Sequence, residues 1–475
     1  MQKSRGKSTR ARPIPRKPSG AGAEAALQDA TQRALRYLRG LPGRRVFPGA
    51  TEVQRLQALD GPVPESGADA SQVIQLLDEA GSPATVASAG GRYFGFVVGG
   101  ALPVALGANW LAGAWNQNAG LFTLSPVAAR LEEIALRWSR ELLGLPAGSE
   151  GAFVTGATMA NFTGLAAARH AVLAAAGWNV EEQGLAGSPP ITLVVGDEIH
   201  VSVLKAISML GLGRGRVVRV PVDRQGRMRT DGLPEVTGPT IVCLQAGNVN
   251  TGAFDPVSEI APKVKANGAW VHIDGAFGLW ANVAPSRRRL MEGIARADSW
   301  ATDGHKWLNV PYDNGLVFVR NPADLRAAMS SDPAAYLVTS DHREPSHFAP
   351  EMSRRARGVE MWAAIRALGR TGIAELVERT CQLASYFSDQ LREAGFDVLN
   401  DVVLNQVLVS FGDDETNSRV ISAVQADGTC WCGGTRWQGR SAMRISVSSW
   451  ATTKEDVDRS LRAIRRIAVD ARHRR

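Results

Sequence analysis

From about residue 150 to residue 320, the chain alternates short apolar segments with stretches of helical periodicity, and this pattern constrains its fold more than any other feature. The apolar segments are 152–155, 191–196, 216–221, 240–245, 269–274 and 315–319, and helices are predicted between them at about 158–176, 200–211 and 256–267. Fully apolar strands joined by helices indicate an α/β fold with a mostly parallel sheet covered on both faces. Such sheets bind ligands beyond the carboxyl ends of their strands.

The flanking regions predict additional helices and a second, smaller domain. Helical patterns occur at about 24–40 and 70–80, and Ser125 followed by Pro126 predicts the start of another helix. Beyond about residue 360, a long helical pattern precedes the apolar segments 402–404 and 444–447, which is typical of a smaller C-terminal α+β domain. We therefore expect a disordered basic tail, an N-terminal helical segment, a large domain and a small domain, at 1–23, 24–90, 91–355 and 356–475 respectively.

Charge and composition exclude several classes of protein. A chain of 475 residues that is 44% hydrophobic and 21% charged is globular rather than disordered. Its net charge of +8 comes from its ends: residues 1–17 hold seven basic side chains and no acid, the last fourteen residues contribute a net +5, and residues 18–461 sum to −4. Binding of nucleic acid or an acidic surface through these basic ends is one hypothesis. The acidic body argues against nucleic acid as the main partner.

The cysteines and the longest uncharged segment indicate in which cellular compartment the protein folds and whether it crosses a membrane. The four cysteines, Cys243, Cys381, Cys430 and Cys432, fit neither a disulfide framework nor a zinc motif, so we expect no metal and a reducing cytoplasm. Residues 93–129 carry no charge and are long enough to span a bilayer. They also contain two prolines, four amide side chains and six glycines, which predicts a buried loop and helix rather than a membrane span. The N-terminus lacks the apolar region of a secretory signal, and a transit peptide is the alternative there.

Four motifs follow the apolar segments, and each has an ordinary structural explanation as well as a functional one. The small residues of Val154–Asn161 lead from a strand into a helix, where free amides form a phosphate cradle. Asp274 ends a strand and suits a buried cation, although this segment alone favours a helix cap or a surface salt bridge. Lys306 lies between His305 and Trp307, where desolvation would free its amine as a nucleophile, whereas a snorkelling lysine is the alternative. His200 suits stacking on an aromatic ligand or a structural hydrogen bond.

One ligand accounts for all four motifs together. A phosphate cradle, a stacking imidazole, a carboxylate for a pyridinium nitrogen and a buried lysine are the parts that hold pyridoxal 5′-phosphate. Their order along the chain resembles the group II pyridoxal-phosphate-dependent amino-acid decarboxylases, the relatives of glutamate and aromatic-L-amino-acid decarboxylases. The resemblance covers roughly residues 85–460 and rests on the segments 93–96, 155–161, 200–206, 272–276, 303–308 and 353–355.

This resemblance implies a fold, a cofactor and a set of roles. The fold would be fold-type-I, like the pyridoxal-phosphate-dependent transferases, in a homodimer whose active sites use both subunits. Lys306 would form the internal aldimine, Asp274 would pair with the pyridine nitrogen and His200 would stack on the ring. The remaining cofactor-binding residues would be Gly156, Ala157, Thr158, Ala276, Asp303, His305 and Asn250 of the 247–251 loop.

The implied reaction is decarboxylation of an L-amino acid to an amine and CO2, through an external aldimine and a quinonoid intermediate. In the aromatic decarboxylases, a loop tyrosine protonates Cα, whereas the segment 340–350 here contains no tyrosine and offers only His342 or His347. Loss of that tyrosine in relatives is associated with aldehyde formation. An aldehyde synthase, an aminotransferase or a carbon–sulfur lyase is therefore the alternative.

Two further expectations concern the substrate. Arg444 lies where other fold-type-I enzymes bind a substrate carboxylate, but tight uniform binding of a carboxylate about to leave does not accelerate its departure. The aromatic side chains of the uncharged segment, Phe94, Phe96, Trp110 and Trp115, would accept an apolar or aromatic substrate side chain, and core packing explains them equally well.

Overall fold

The computed structural model describes residues 20–330 and 342–473, and the chain divides into two compact units between Val86 and Ala87. The first unit is helical, with α1 (Gly20–Gly40), α2 (Ala50–Gln54) and α3 (Ala70–Ala84). Arg33 of α1 donates to Asp78 of α3 at 3.0 Å, which links the two longer helices. Residues 20–23 are helical, in contrast to the tail predicted there, and residues 1–19 lie outside the described part.

The second unit carries two sheets and ten α-helices among its described residues. The helices are α4 (Pro103–Trp115), α5 (Pro126–Leu142), α6 (Ala157–Ala175), α7 (Val180–Gln183), α8 (Val201–Met209), α9 (Val257–Lys265), α10 (Pro322–Met329), α11 (Gly358–Glu393), α12 (Asp414–Asp427) and α13 (Lys454–His473). The strands are β1 (Glu150–Val154), β2 (Thr192–Gly196), β3 (Val218–Val220), β4 (Thr240–Gln245), β5 (Trp270–Asp274), β6 (Ser299–Asp303), β7 (Gly315–Val319), β8 (Asp397–Val398), β9 (Gln406–Ser410), β10 (Gly433–Trp437) and β11 (Arg440–Ser446).

The large sheet has seven strands in the order β1-β7-β6-β5-β4-β2-β3. Strands β3, β2, β4, β5 and β6 pair in parallel, whereas β7 is antiparallel to both β6 and β1. Strand β1 therefore runs in the same direction as β6, and the carboxyl ends of six strands lie at one edge. This mostly parallel sheet confirms the predicted fold class.

Helices cover both faces of this sheet, because successive side chains of its strands point to opposite sides. On one face, Val242, Val271 and Trp300 pack in a core with residues of α5, α9 and α11. On the other face, Cys243, Trp270 and residues of β1 and β7 pack against α6, α8 and α10. Ser125 accepts a hydrogen bond from the Ala128 amide at 3.2 Å and caps α5 as predicted.

The smaller C-terminal domain has an antiparallel sheet in the order β10-β11-β9-β8. The long helix α11 leads into this domain and contains a non-helical residue at Gly369. The core of the C-terminal domain combines Phe387, Val407 and Ile445 with residues of α12 and α13.

The structure differs from the predictions at two places that concern strands. The predicted segment 402–404 is a loop, and the strand begins at Gln406. On either side of this loop, Asn400 donates to the Gln406 carbonyl and Asn405 donates to the Val447 carbonyl. Strand β6 was not predicted, because its sequence, Ser-Trp-Ala-Thr-Asp, is only partly apolar although all five residues are buried.

The uncharged segment 93–129 is also less buried than expected. Helix α4 exposes Val104, Trp110, Leu111 and Trp115, each by 40% to 55%. Of the predicted aromatic residues, Phe94 is buried against Phe387, whereas Phe96 is exposed. No helix within the described ranges, 20–330 and 342–473, is long and apolar enough to cross a bilayer.

Candidate active site

The sheet topology brings the four predicted motifs to one edge. Asp274 is the last residue of β5 and Asp303 the last residue of β6, and Lys306 follows three residues later. The segment containing His200 follows β2, and Gly156 follows β1. Because these strands run in one direction, residues distant in the chain meet at their carboxyl ends.

Lys306 is paired with a carboxylate at this edge. Its Nζ lies 3.2 Å from Oδ2 of Asp303, which is almost fully buried. The Asn314 amide donates to Nδ1 of His305 at 3.1 Å, so the proton of the neutral imidazole is on Nε2, which faces Asp303 at 3.6 Å. Burial lowers the pKa of His305, with Asp303 opposing this effect, so the ring is neutral at pH 7.

Asp274 is surrounded by uncharged polar groups, two of which donate hydrogen bonds to it. Asn161 Nδ2 donates to its Oδ2 at 3.1 Å, Ser202 Oγ lies 3.4 Å from the same oxygen, and the Ala276 amide donates to Oδ1 at 3.2 Å. Among the described residues, no Lys, Arg or His forms an ion pair with this buried carboxylate. Burying an uncompensated charge is costly, so the position calls for a cationic ligand.

A buried histidine fixes the orientation of Asn161. Trp270 Nε1 donates to Ser299 Oγ at 2.9 Å, and that hydroxyl lies 2.7 Å from His272 Nδ1. Burial lowers the pKa of His272 to about 4, so the ring is neutral and carries one proton. With Nδ1 accepting from Ser299, Nε2 donates to Asn161 Oδ1 at 2.9 Å, and the Asn161 amino group must face Asp274. Asn161, Ser202 and His272 were in motifs quoted from the sequence, but they had no predicted role.

His200 lies at the start of α8 and caps it. The Ser202 amide donates to its Nδ1 at 3.2 Å, which leaves Nε2 to carry the proton. Burial lowers its pKa, and the charge of Asp274 opposes this shift while that of Lys306 adds to it. Its predicted stacking on a cofactor ring stays a prediction.

The predicted phosphate cradle is the N-terminus of α6. Gly156 is the N-cap, and Ala157 and Thr158 are the first helical residues, whose amides have no partner within the helix. A Cβ added at Gly156 would lie 3.1 Å from His305 Cε1, so the cradle and the Lys306 loop are neighbours.

The remaining candidates lie around this cluster. Ala276 accepts from the Asp303 amide at 2.9 Å and links the ends of β5 and β6. Asn250 is directed toward β10, where its Oδ1 accepts from Thr435 Oγ1 at 3.0 Å. Arg444 of β11 has a pKa lowered by burial, and no carboxylate pairs with it among the described residues. His342 stacks on Phe122, with ring centroids 3.7 Å apart.

Tyr312 was missed by sequence reasoning because it lies beyond the Lys306 motif in the chain. Its ring lies 4.3 Å from that of His305, and burial raises the pKa of its phenol to about 12, so it keeps its proton at neutral pH. Its ring therefore packs beside the Lys306 loop.

These residues fit pyridoxal phosphate. The carboxylate without a cation, Asp274, matches the protonated nitrogen of the cofactor ring, and the α6 amides match its phosphate. The buried Asp303 Oδ1 and Thr302 hydroxyl also have no hydrogen-bond partner within the described part of the chain. The site thus offers unused donors and acceptors where this ligand has complementary groups.

Comparison with known proteins gives consistent matches. The chain is 31% identical to the acidic amino acid decarboxylase GADL1 of Mus musculus over 322 aligned residues. The aligned region covers 65% of this chain and 58% of that protein. The chain is 25% identical to the aromatic-L-amino-acid decarboxylase of Bacillus atrophaeus over 431 residues, 86% of this chain and 87% of the relative. The chain matches only about three fifths of the length of each mammalian GADL1 relative.

The fold and a family model agree with these relatives. The crystal structure of Oryza sativa TDC with PLP and tryptamine superposes with a TM-score of 0.87 at 22% identity, covering 96% of this chain and 99% of the other. Residues 56–412 match the pyridoxal-dependent decarboxylase conserved domain. The cofactor is therefore pyridoxal 5′-phosphate, and the chain belongs to the pyridoxal-dependent decarboxylase family.

Proposed function

We propose that the protein decarboxylates an L-amino acid to the corresponding amine and CO2. The observation that carries this proposal is the buried carboxylate of Asp274, which has neutral donors and no cationic partner among the described residues and lies at the same sheet edge as Lys306. A carboxylate so placed favours the protonated form of a ring nitrogen. The family match and the decarboxylase relatives support the same reaction.

In this proposal the chain holds the cofactor at three points. Lys306 would bond its aldehyde carbon, the α6 amides and His305 would hold its phosphate, and Asp274 would hold the proton on its nitrogen. When bound, pyridoxal phosphate supplies an electron sink for the pair left behind as CO2 departs. Neutral His200 would cover one face of the ring and exclude water from it.

The surrounding residues would keep these groups in position. Asn161 and Ser202 orient the Asp274 carboxylate, and neutral His272 orients Asn161. Asp303 Oδ2 holds the Lys306 ammonium when the lysine is free. Groups that are already oriented need no reorganisation when charge develops, which is the main source of electrostatic catalysis.

The direct test is a panel of L-amino acids incubated with the cofactor-loaded protein. We expect CO2 and an amine in equal amounts from at least one amino acid, with neither keto acid nor peroxide. Keto acid without CO2 would indicate an aminotransferase or a carbon–sulfur lyase and would overturn the proposal. CO2 with peroxide and an aldehyde would identify the aldehyde synthase suggested by the missing tyrosine in segment 340–350, and would overturn the amine product.

We further propose a cytoplasmic homodimer. All four cysteines are buried and unpaired, which is typical of a reducing compartment. The exposed side of α4 carries Trp110, Leu111 and Trp115 in a segment without charge. Apolar patches of this kind on folded proteins mark contact surfaces, and a second copy of the chain is the occupant we propose.

Replacement of Leu111 by Glu should weaken this dimer. A charge buried against an apolar partner surface is unfavourable, so sedimentation at micromolar concentration should show a dimer for the parent protein and a monomer for Leu111→Glu. Val469→Glu, at a similarly exposed apolar position on α13, is the matched control and should stay dimeric. A parent protein that sediments as a monomer, or a Leu111→Glu variant that stays dimeric, would contradict the assignment.

A further inference from the structure

Asp303 is a buried carboxylate that pairs with Lys306 at the end of β6. Its side chain is 1% exposed, and its Oδ2 lies 3.2 Å from Lys306 Nζ. The neighbouring His305 is neutral, so within residues 20–330 and 342–473 Lys306 is the one charged side chain at ion-pair distance from this carboxylate. Burying either charge without the other is costly. Each of the two groups therefore favours the charged form of the other.

The main chain fixes the position of Asp303. Its amide donates to the Ala276 carbonyl at 2.9 Å, and its carbonyl accepts from Trp280 Nε1 at 3.1 Å. The Trp280 ring is almost fully buried, so the end of β6 is held from two sides. The Lys306 ammonium, in contrast, lies on a flexible four-carbon stem. Asp303 is therefore a fixed counter-ion for a lysine that can move relative to it.

The neutral ionisable groups around Lys306 are poor proton donors. Burial lowers the pKa of His200 and of His305, so both imidazoles are neutral at pH 7. Burial raises the pKa of the Tyr312 phenol to about 12, and the charge of Asp303 adds to this shift. The Lys306 ammonium is thus the best acid of this group.

Two further charges lie in the same neighbourhood. Asp274 raises the pKa of His200 and Arg444 lowers it, in both cases by less than burial does. These two charges are opposite in sign, and Asp274 is assigned to the cofactor nitrogen. In the part of the chain that the structure describes, Asp303 alone lies within ion-pair distance of Lys306. Asp303 is therefore the charge that decides whether Lys306 is protonated.

In the proposed function, Lys306 is free when the reaction needs a proton. The amino group of the substrate replaces the lysine at the aldehyde carbon of the cofactor, so the lysine is released beside the reacting atoms. CO2 then departs and leaves an electron pair on Cα, which must gain a proton to give the amine. Segment 340–350 contains no tyrosine to donate this proton.

We propose that Asp303 keeps the released Lys306 protonated and that this ammonium protonates Cα, so that the pair directs the reaction to the amine. This inference rests on the proposed function. One N–H bond of the ammonium breaks, the electron pair on Cα forms the C–H bond, and Lys306 is left as a neutral amine, the nucleophile that releases the product. Without this proton, dissolved oxygen takes two electrons from the carbon and becomes hydrogen peroxide, while water replaces the amino group to give the aldehyde and ammonia.

Acylation of Lys306 in the full-length, cofactor-free protein tests the role of Asp303 without turnover. Only the uncharged amine reacts with acetic anhydride, and peptide mapping measures the rate at Lys306 alone. Asp303→Asn keeps the shape of the side chain and removes its charge, so near neutral pH it should accelerate this acylation by about 10-fold or more. The acceleration should shrink as the pH rises, because more of the parent lysine is then uncharged.

Two outcomes of the acylation experiment would overturn the inference. One is an unchanged rate at Lys306. The other is an equal acceleration at every pH, which would show greater exposure of the lysine and not a change of its charge. Asp303→Ser, which is smaller and also uncharged, should behave like Asp303→Asn and serves as the second variant if the first does not fold.

The product ratio of the cofactor-loaded enzyme in air tests the proton transfer. Asp303→Asn should raise the yield of aldehyde and peroxide per CO2 by about 10-fold, in proportion to the loss of protonated lysine. Asp303→Glu restores a carboxylate and should return this yield toward that of the parent. An unchanged product ratio in a folded Asp303→Asn variant would overturn the inference.

Asp458→Asn is the matched control, because Asp458 also pairs with a lysine, Lys454, at 2.8 Å on α13. It should change neither the acylation of Lys306 nor the product ratio. Acylation that responds as expected, combined with no CO2 from any amino acid, would overturn the proposed function and leave the control of Lys306 by Asp303 intact.

Discussion

Replacement of Lys306 by Ala should abolish turnover and the covalent attachment of the cofactor. The lysine amine lies against Asp303, and its loss should lower kcat by at least about 10³-fold, a value typical of removing a group that acts in proton transfer. In the parent protein, reduction with borohydride followed by peptide mapping should place the cofactor mass on Lys306. The same treatment of Lys306→Ala should leave every peptide unmodified.

Lys205→Ala provides the matched control. Lys205 is an exposed lysine of α8, in the segment that begins with His200, and its removal should change neither kcat nor the labelled peptide. Label found on another lysine in the parent protein would refute the assignment of Lys306. So would a Lys306→Ala variant that turns over at the parent rate.

Replacement of Asp274 by Asn should cause the second-largest loss of activity, after replacement of Lys306. The amide occupies the same space and keeps part of the hydrogen-bond network, but it has no negative charge to hold a proton on the cofactor nitrogen. We expect kcat to fall by about 10²- to 10³-fold, the loss seen when one preorganised electrostatic partner is removed. The comparison is made at saturating cofactor, so that weaker binding does not mimic slower chemistry.

A cofactor analogue separates this electrostatic role from a structural one. If the charge on the nitrogen is what Asp274 maintains, an analogue methylated at that nitrogen is always cationic and should restore part of the activity of Asp274→Asn. Asp197→Asn, at an exposed position just after β2, is the control and should behave as the parent. Failure of the analogue to raise activity, in a variant with a normal melting temperature and bound cofactor, would contradict the role.

Most of the large sheet was predictable because its strands are buried on both faces. Strands β2, β4, β5 and β7 are almost continuous apolar segments, and each was located to within a residue or two. Strand β6 was not predicted, because Ser299 and Thr302 are polar and their burial depends on partners elsewhere in the fold. Ser299, for example, bonds Trp270 and His272, which lie 29 and 27 residues away along the chain.

The exposure of side chains was harder to infer than secondary structure. An uncharged segment reads as core in a sequence, yet α4 presents Trp110 and Leu111 outward. Hydrophobicity measures the tendency to leave water and does not state which surface will cover the residue. The segment 402–404 is not a strand for a related reason. Apolar residues pack equally well in a loop, and here asparagine side chains bond the neighbouring main chain.

The sequence by itself determined the α/β class of the protein, and it also selected the residues of the candidate site, including Lys306, Asp274 and His200. Periodicity and residue type are local properties, so the chain records them directly. The tertiary structure decided how these residues are oriented and which partners they have. Asn161 reaches Asp274 across 113 positions, and the ring of Trp431 stacks on that of Tyr93, which lies in a distant segment of the chain. Such long-range contacts depend on strand order and on the close approach of separate segments, neither of which local sequence encodes.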